Sequence, residues 1–107
     1  MPTYNKLVRD KIPAIIEQSG KTCTTKILNK EEYIQALKTK SQEELNEYLE
    51  TTDNESALEE LADLIEIIHA LAHYHGSSID EVERIRQKKA EDRGGFMEKV
   101  FLIEVQD

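Results

Sequence analysis

Apolar and polar residues recur with helical spacing through most of the chain, and capping signals and glycines break the pattern into segments. Residues Leu7–Gln18 read as a short helix, with Pro13 near its start, where proline is tolerated, and Ser19-Gly20 ending it. Lys21–Leu28 (KTCTTKIL) is rich in threonine and predicts a short strand. Asn29 with Glu32 has the spacing of a capping box and opens a long helix to about Glu50. The polar stretch Thr51–Glu55 reads as a loop. Either Asp53, or Ser56 with Glu59, starts a second long helix that runs to Gly76. Ser78 with Glu81 begins a third, which stops near Gly94-Gly95. Phe96–Val105 then predicts a strand, with Val100, Leu102 and Glu104 on one face and Phe101, Ile103 and Val105 on the other. The expected architecture is mainly α, an antiparallel helical bundle with a short two-stranded β ribbon formed by the two strands.

The helical wheels carry the chemical information. With each residue advancing about 100°, and Glu59 set at zero, the apolar residues Ile67, Leu71, Leu64, Ile68, Leu61, Ala72 and Ile65 fill an arc from roughly 80° to 240°. Glu60 falls inside that arc, between Ile67 and Leu71, and Asp63 lies at its edge. Glu59 and Glu66 face outward, as acids usually do. In the first long helix Tyr33, Leu37, Tyr48, Ser41, Ile34 and Leu45 form a similar stripe. Glu44 sits in its middle, and Glu47 lies at its border beside Lys40. Each helix thus puts one glutamate where leucine belongs and a second acid three residues later, and residues three apart are neighbours on a helix surface. The short loop makes the two helices antiparallel partners, so packing their stripes together gathers four carboxylates.

Mutual repulsion and lost hydration oppose such a gathering. A hard divalent cation relieves both, and Mg²⁺ prefers oxygen ligands and keeps several waters, with Mn²⁺ as a substitute. The expected site is a Mg²⁺ centre made of Glu44, Glu47, Glu60 and Asp63. The alternative is structural: Glu44 and Glu60 neutralise buried lysines or line a wet groove.

Composition narrows the classes. The 107 residues suit one domain, residues 1–107, with a modest core. Lysine and arginine number 14 against 22 aspartates and glutamates, a net charge of −8, which argues against binding a nucleic-acid polymer. No long apolar run predicts a membrane span. No N-terminal secretion signal is seen, and the single cysteine, Cys23, fits a reducing compartment, so a cytoplasmic location is expected. Cys23 has no nucleophile motif around it. His69 and His73 are four apart, but Ala70 follows His69 where the zincin motif needs glutamate. His75, before Gly76, suits a helix C-terminus. Four glycines and no G-x-x-x-x-G-K pattern exclude a P-loop.

The acidic spacing, E-x-x-E at Glu44-Leu45-Asn46-Glu47 and E-x-x-D at Glu60-Leu61-Ala62-Asp63, resembles the motif of the all-α nucleoside triphosphate pyrophosphohydrolases, the MazG-like enzymes, a group that includes phosphoribosyl-ATP pyrophosphohydrolase. The opening YNKLVRDKIPAII and the closing KKAEDRGGFMEKVFL resemble a small single-domain branch of the same group, so the resemblance spans nearly the whole chain. It implies an all-α bundle that hydrolyses a nucleotide between its α and β phosphates, giving a monophosphate and pyrophosphate. House-cleaning of non-standard nucleotides is the role it suggests, with phosphoribosyl-ATP as an alternative substrate. A different class of alternative is a catalytically silent helical module that binds a nucleotide or protein partner.

Within that chemistry, Glu47, on the border of its stripe, is the expected group to orient or deprotonate the water, with Glu44 beside it. Glu43 and Glu59 are adjacent acids that either support the ligands or face solvent. Arg9, Lys11, Lys89 and Arg93 are the candidate phosphate-binding cations, since arginine offers a bidentate fork to phosphate. A single pair of long helices leaves apolar surface uncovered, so at least a homodimer is expected.

Overall fold

A computed structural model describes residues 2–107 and contains four helices: α1 (Ile12–Gln18), α2 (Lys30–Glu50), α3 (Asn54–Tyr74) and α4 (Ile79–Arg93). Side-chain caps set the starts of the three long ones. The Asn29 side chain accepts from the Glu32 amide at 2.8 Å while the Glu32 carboxylate accepts from the Asn29 amide at 3.2 Å, completing a reciprocal capping box. Asp53 caps α3 by accepting from the Ser56 amide at 2.9 Å, so of the two starts that the sequence offers, Asp53 is the one used. Ser78 Oγ accepts from the Glu81 amide at the start of α4. Gly76 and Gly94, with φ of +75° and +84°, lie just beyond the ends of α3 and α4, in the left-handed conformation that glycine adopts without a Cβ clash.

Two expectations change. The first helix begins at Ile12, not Leu7, with Pro13 in its first turn. Extending it upstream would place the proline ring against the carbonyl four residues earlier. The β ribbon is not formed: among the described residues no strand is present, and Lys21–Leu28 and Phe96–Val105 run without ladder partners. A turn over Phe96–Lys99, closed by the Lys99 amide donating to the Phe96 carbonyl and leaving Lys99 at φ +62°, breaks the second segment at its start. Threonine-rich and alternating patterns favour a strand only where a neighbouring strand supplies cross-strand contacts.

α2 and α3 pack along one another as an antiparallel hairpin, and α4 leans on α3. At the end away from the loop, the Tyr33 and Tyr74 rings lie 6.4 Å apart and the Lys30 ammonium stands 5.5 Å from the Tyr74 ring. This places the start of α2 beside the end of α3. The buried apolar residues are few: Leu37 at 3% exposure, Ile67 and Ala72. The radius of gyration is 18.4 Å, whereas a compact chain of this length has about 13 Å.

The wide apolar arc of α3 is divided. Ile67, Leu64 and Leu71 lie on its buried or half-buried part, whereas Leu58, Leu61, Ile65 and Ile68 are exposed. On α2, Leu45 and Leu49 are exposed. Both sets are rotated from the helix–helix seam in the same sense, by about a quarter turn or more. Because the helices are antiparallel, the same sense on each puts both sets on one side of the hairpin. By the same construction Lys40, Glu47, Asp63 and Glu66 lie on the opposite side.

Leu37 is the most deeply buried apolar residue in this sparse core, so Leu37→Ala is expected to lower unfolding stability in a urea titration by about 2–5 kcal/mol. Asn29→Ala, which removes a cap, is expected to cost about 1 kcal/mol in the same titration.

Candidate metal centre

Glu44 projects from the middle of α2 into the seam and is 7% exposed, the only charged residue buried to this degree among those described. Glu60, half-buried, meets it from α3, and Glu47 approaches from one turn further along α2. One carboxylate oxygen from each of the three lies within 4.8 Å of the others. The helical stripes therefore bring together three of the four expected acids.

The electrostatics of the cluster are unbalanced. Glu44 Oε1 has the half-buried Lys40 ammonium at 3.5 Å, one helical turn back on α2. The other oxygen, Oε2, is buried with no hydrogen-bond partner, and so is Glu60 Oε2. With both groups ionised, neither inner oxygen has a donor, and leaving such a group unsatisfied is costly. A proton on Glu60 supplies one. Sharing it with Glu44 is the largest cause that raises the Glu60 pKa to about 7, followed by lost hydration and by contact with Glu47 and the charges of both neighbours. A divalent cation would satisfy the same bare oxygens without a proton. The donor set is oxygen only, which suits hard divalent ions such as Mg²⁺ and Mn²⁺, so the residues present fit such an ion.

Asp63 stands apart from the other three. Its Oδ1 accepts from Arg9 Nη2 at 2.7 Å, an exposed ion pair that ties the N-terminal segment to α3. Arg9, one of the expected phosphate-binding cations, is thus brought beside the carboxylates. Lys11, Lys89 and Arg93 are exposed, and among the described residues no ion pair or hydrogen bond ties them to the cluster. Arg84 and Arg86 are engaged within α4 by Glu81 and Glu83, which hold both guanidiniums above and both carboxyls below their usual pKa ranges. Glu43 and Glu59 are exposed on the outer faces of their helices.

His69 and His73 are exposed and outside the three-carboxylate group. His75 caps α3, its ring edge-on to Tyr74. Cys23 is a free, half-buried thiol. Lys40 joins the site without being singled out by the acidic spacing, and its position one turn before Glu44 is the signal for it. Comparison with protein-family models, with curated proteins and with solved structures gives no match.

Because Glu60 has a raised pKa in the folded chain, its contribution to stability is full below the unfolded value and is lost as pH rises through about 7. In chelator, the melting temperature is therefore expected to fall as pH rises from about 5 to 8. Glu60→Gln is expected to flatten that dependence and to melt higher than wild type at pH 8. A Glu60→Gln protein that melts markedly lower at pH 8 would instead identify Glu60 as one half of a structural ion pair.

Proposed function

We propose that the chain is a Mg²⁺-dependent nucleoside triphosphate pyrophosphohydrolase, cleaving between the α and β phosphates to release pyrophosphate. The observation that carries this reading is the meeting of Glu44, Glu47 and Glu60 from facing helices, with two buried oxygens that lack any donor. The E-x-x-E and E-x-x-D spacing and the opening and closing segments support the reaction class by resemblance.

Glu44 and Glu60 would hold the ion at the seam, with Glu47 and Asp63 at its solvent side. The ion would supply charge neutralisation for the phosphate oxygens as the bond to the leaving pyrophosphate breaks. Glu47 is exposed and tethered to α2 beside the other two. That leaves it accessible to a water, which it orients or from which it takes a proton as the water attacks phosphorus. Arg9 lies on the same side of the hairpin and carries a planar fork suited to phosphate oxygens. Lys40 holds the buried Glu44 carboxylate in place through its near oxygen.

The partner is a second copy of the chain. One side of the hairpin exposes Leu45, Leu49, Leu58, Leu61, Ile65 and Ile68 in a single layer, away from the carboxylates. The extended dimensions and the small apolar core leave this layer as a broad uncovered apolar surface on the hairpin, whose burial would be stabilising. Two hairpins joined through it would form a four-helix bundle with the acidic groups on its outer sides.

A panel of canonical and modified nucleoside triphosphates together with phosphoribosyl-ATP, incubated with Mg²⁺ and followed by pyrophosphate release, tests the reading. Release from at least one member is expected, lost in chelator and lost in Glu60→Gln. No pyrophosphate from any member would leave a silent binding module. Sedimentation velocity is expected to give a dimer or larger for wild type, and a monomer for the double variant Leu61→Lys, Ile65→Lys.

A further inference from the structure

The fourth acid of the expected site already has a cation. Asp63 follows Glu60 by three residues on α3, so the two side chains share a face, yet Asp63 lies outside the group of three. What it contacts is Arg9, at 2.7 Å, contributed by a segment 54 residues away in sequence. The pair closes one wall of a cavity of about 350 Å³ lined by Lys6, Val8, Arg9, Lys40, Glu44 and Asp63 among others. The unpartnered Glu44 Oε2, on a side chain nine-tenths buried, marks the adjoining cluster as a place where a cation is still wanting.

Resting on the cation-site reading above, we propose that Arg9 is the resident counter-ion of Asp63. A divalent ion entering the Glu44–Glu47–Glu60 cluster takes Asp63 over from it and frees the guanidinium for the anionic ligand. Arg9 is a positioning residue in this scheme. It keeps Asp63 neutralised while the cluster is empty and is displaced when it fills.

Three features favour the exchange. The pair is exposed on both sides, with side-chain exposures of 58% and 40%, so it is weak enough to be given up. Arg9 sits in irregular backbone just ahead of the turn that begins α1, where its side chain can move without disturbing a helix. The charge count also fits. Around the cluster and its cavity, the carboxylates of Glu44, Glu47, Glu60, Asp63 and Glu66 outnumber the basic groups of Lys6, Arg9 and Lys40 by two, which one divalent ion cancels. With that ion bound the site including Arg9 is neutral, and Arg9, no longer paired with Asp63, is available to phosphate oxygens.

The test is calorimetric titration of the full chain at pH 8 with Mg²⁺ and, separately, Mn²⁺. The proteins compared are wild type, Arg9→Gln, Asp63→Asn, the double variant of these two and Glu60→Gln, each checked for wild-type helix content by circular dichroism. Arg9→Gln is expected to tighten ion binding by about two- to five-fold, because Asp63 no longer has to be released. Asp63→Asn is expected to weaken it, and in that background Arg9→Gln is expected to change nothing further. The Arg9 Nε–Hε resonance is expected to move towards its position in the Asp63→Asn protein when Mg²⁺ is added to wild type. Equal tightening by Arg9→Gln with and without Asp63 would reduce Arg9 to a distant charge and overturn the exchange. So would an unchanged affinity in Arg9→Gln while wild type still binds the ion and Glu60→Gln does not. Wild type that binds neither ion would overturn the cation site itself.

Discussion

Two glutamates from facing helices meet in a seam that would otherwise be filled by leucine, and the rest of the molecule is arranged around that conflict. Like charges at this range, partly screened from water, disfavour the folded chain until something positive joins them. Within the protein, Lys40 answers half of the need and a shared proton on Glu60 answers part of the remainder. An oxygen-seeking metal ion would answer all of it. The same side chains would be a burden without such an ion and a source of binding energy with it, which would couple ion uptake to stability.

The two sides of the hairpin divide the work. Lys40, Glu47, Asp63 and Glu66 project to the side where the N-terminal segment lies, while the leucines and isoleucines of both helices project to the other. This separation follows from antiparallel pairing. A displacement of the same rotational sense on both helices lands on the same side of the layer, so two stripes of modest width combine into one broad surface. Burial of that surface against a second copy would compensate for the few buried apolar residues among those described, without touching the acidic groups.

Much of this was legible in the residues. The caps at Asn29, Asp53 and Ser78 placed the three long helices, because each supplies a specific acceptor for an amide that has no partner inside its helix. Glu44 and Glu60 were visible as charges at positions whose neighbours are apolar. What could not be read was long-range or collective. Arg9 meets Asp63 across 54 residues, and no local pattern encodes such a pairing. The late start of α1 turns on one proline ring, which the apolar spacing upstream of it does not reveal. The absent ribbon shows that strand propensity is a statement about fit to neighbours: Lys21–Leu28 and Phe96–Val105 have suitable composition and no adjoining ladder.

The hairpin is held at both extremities. At one, the connection between α2 and α3 spans just Thr51, Thr52 and Asp53, with the Thr51 hydroxyl bound to the Tyr48 carbonyl and Asp53 capping the next helix. At the other, Lys30, Tyr33 and Tyr74 clasp the helix tips together. A pair of rods fastened top and bottom resists the scissoring that would let repelling groups at mid-length drift apart. Such fastening narrows the mechanical outlet for discomfort at Glu44 and Glu60 and favours a chemical remedy.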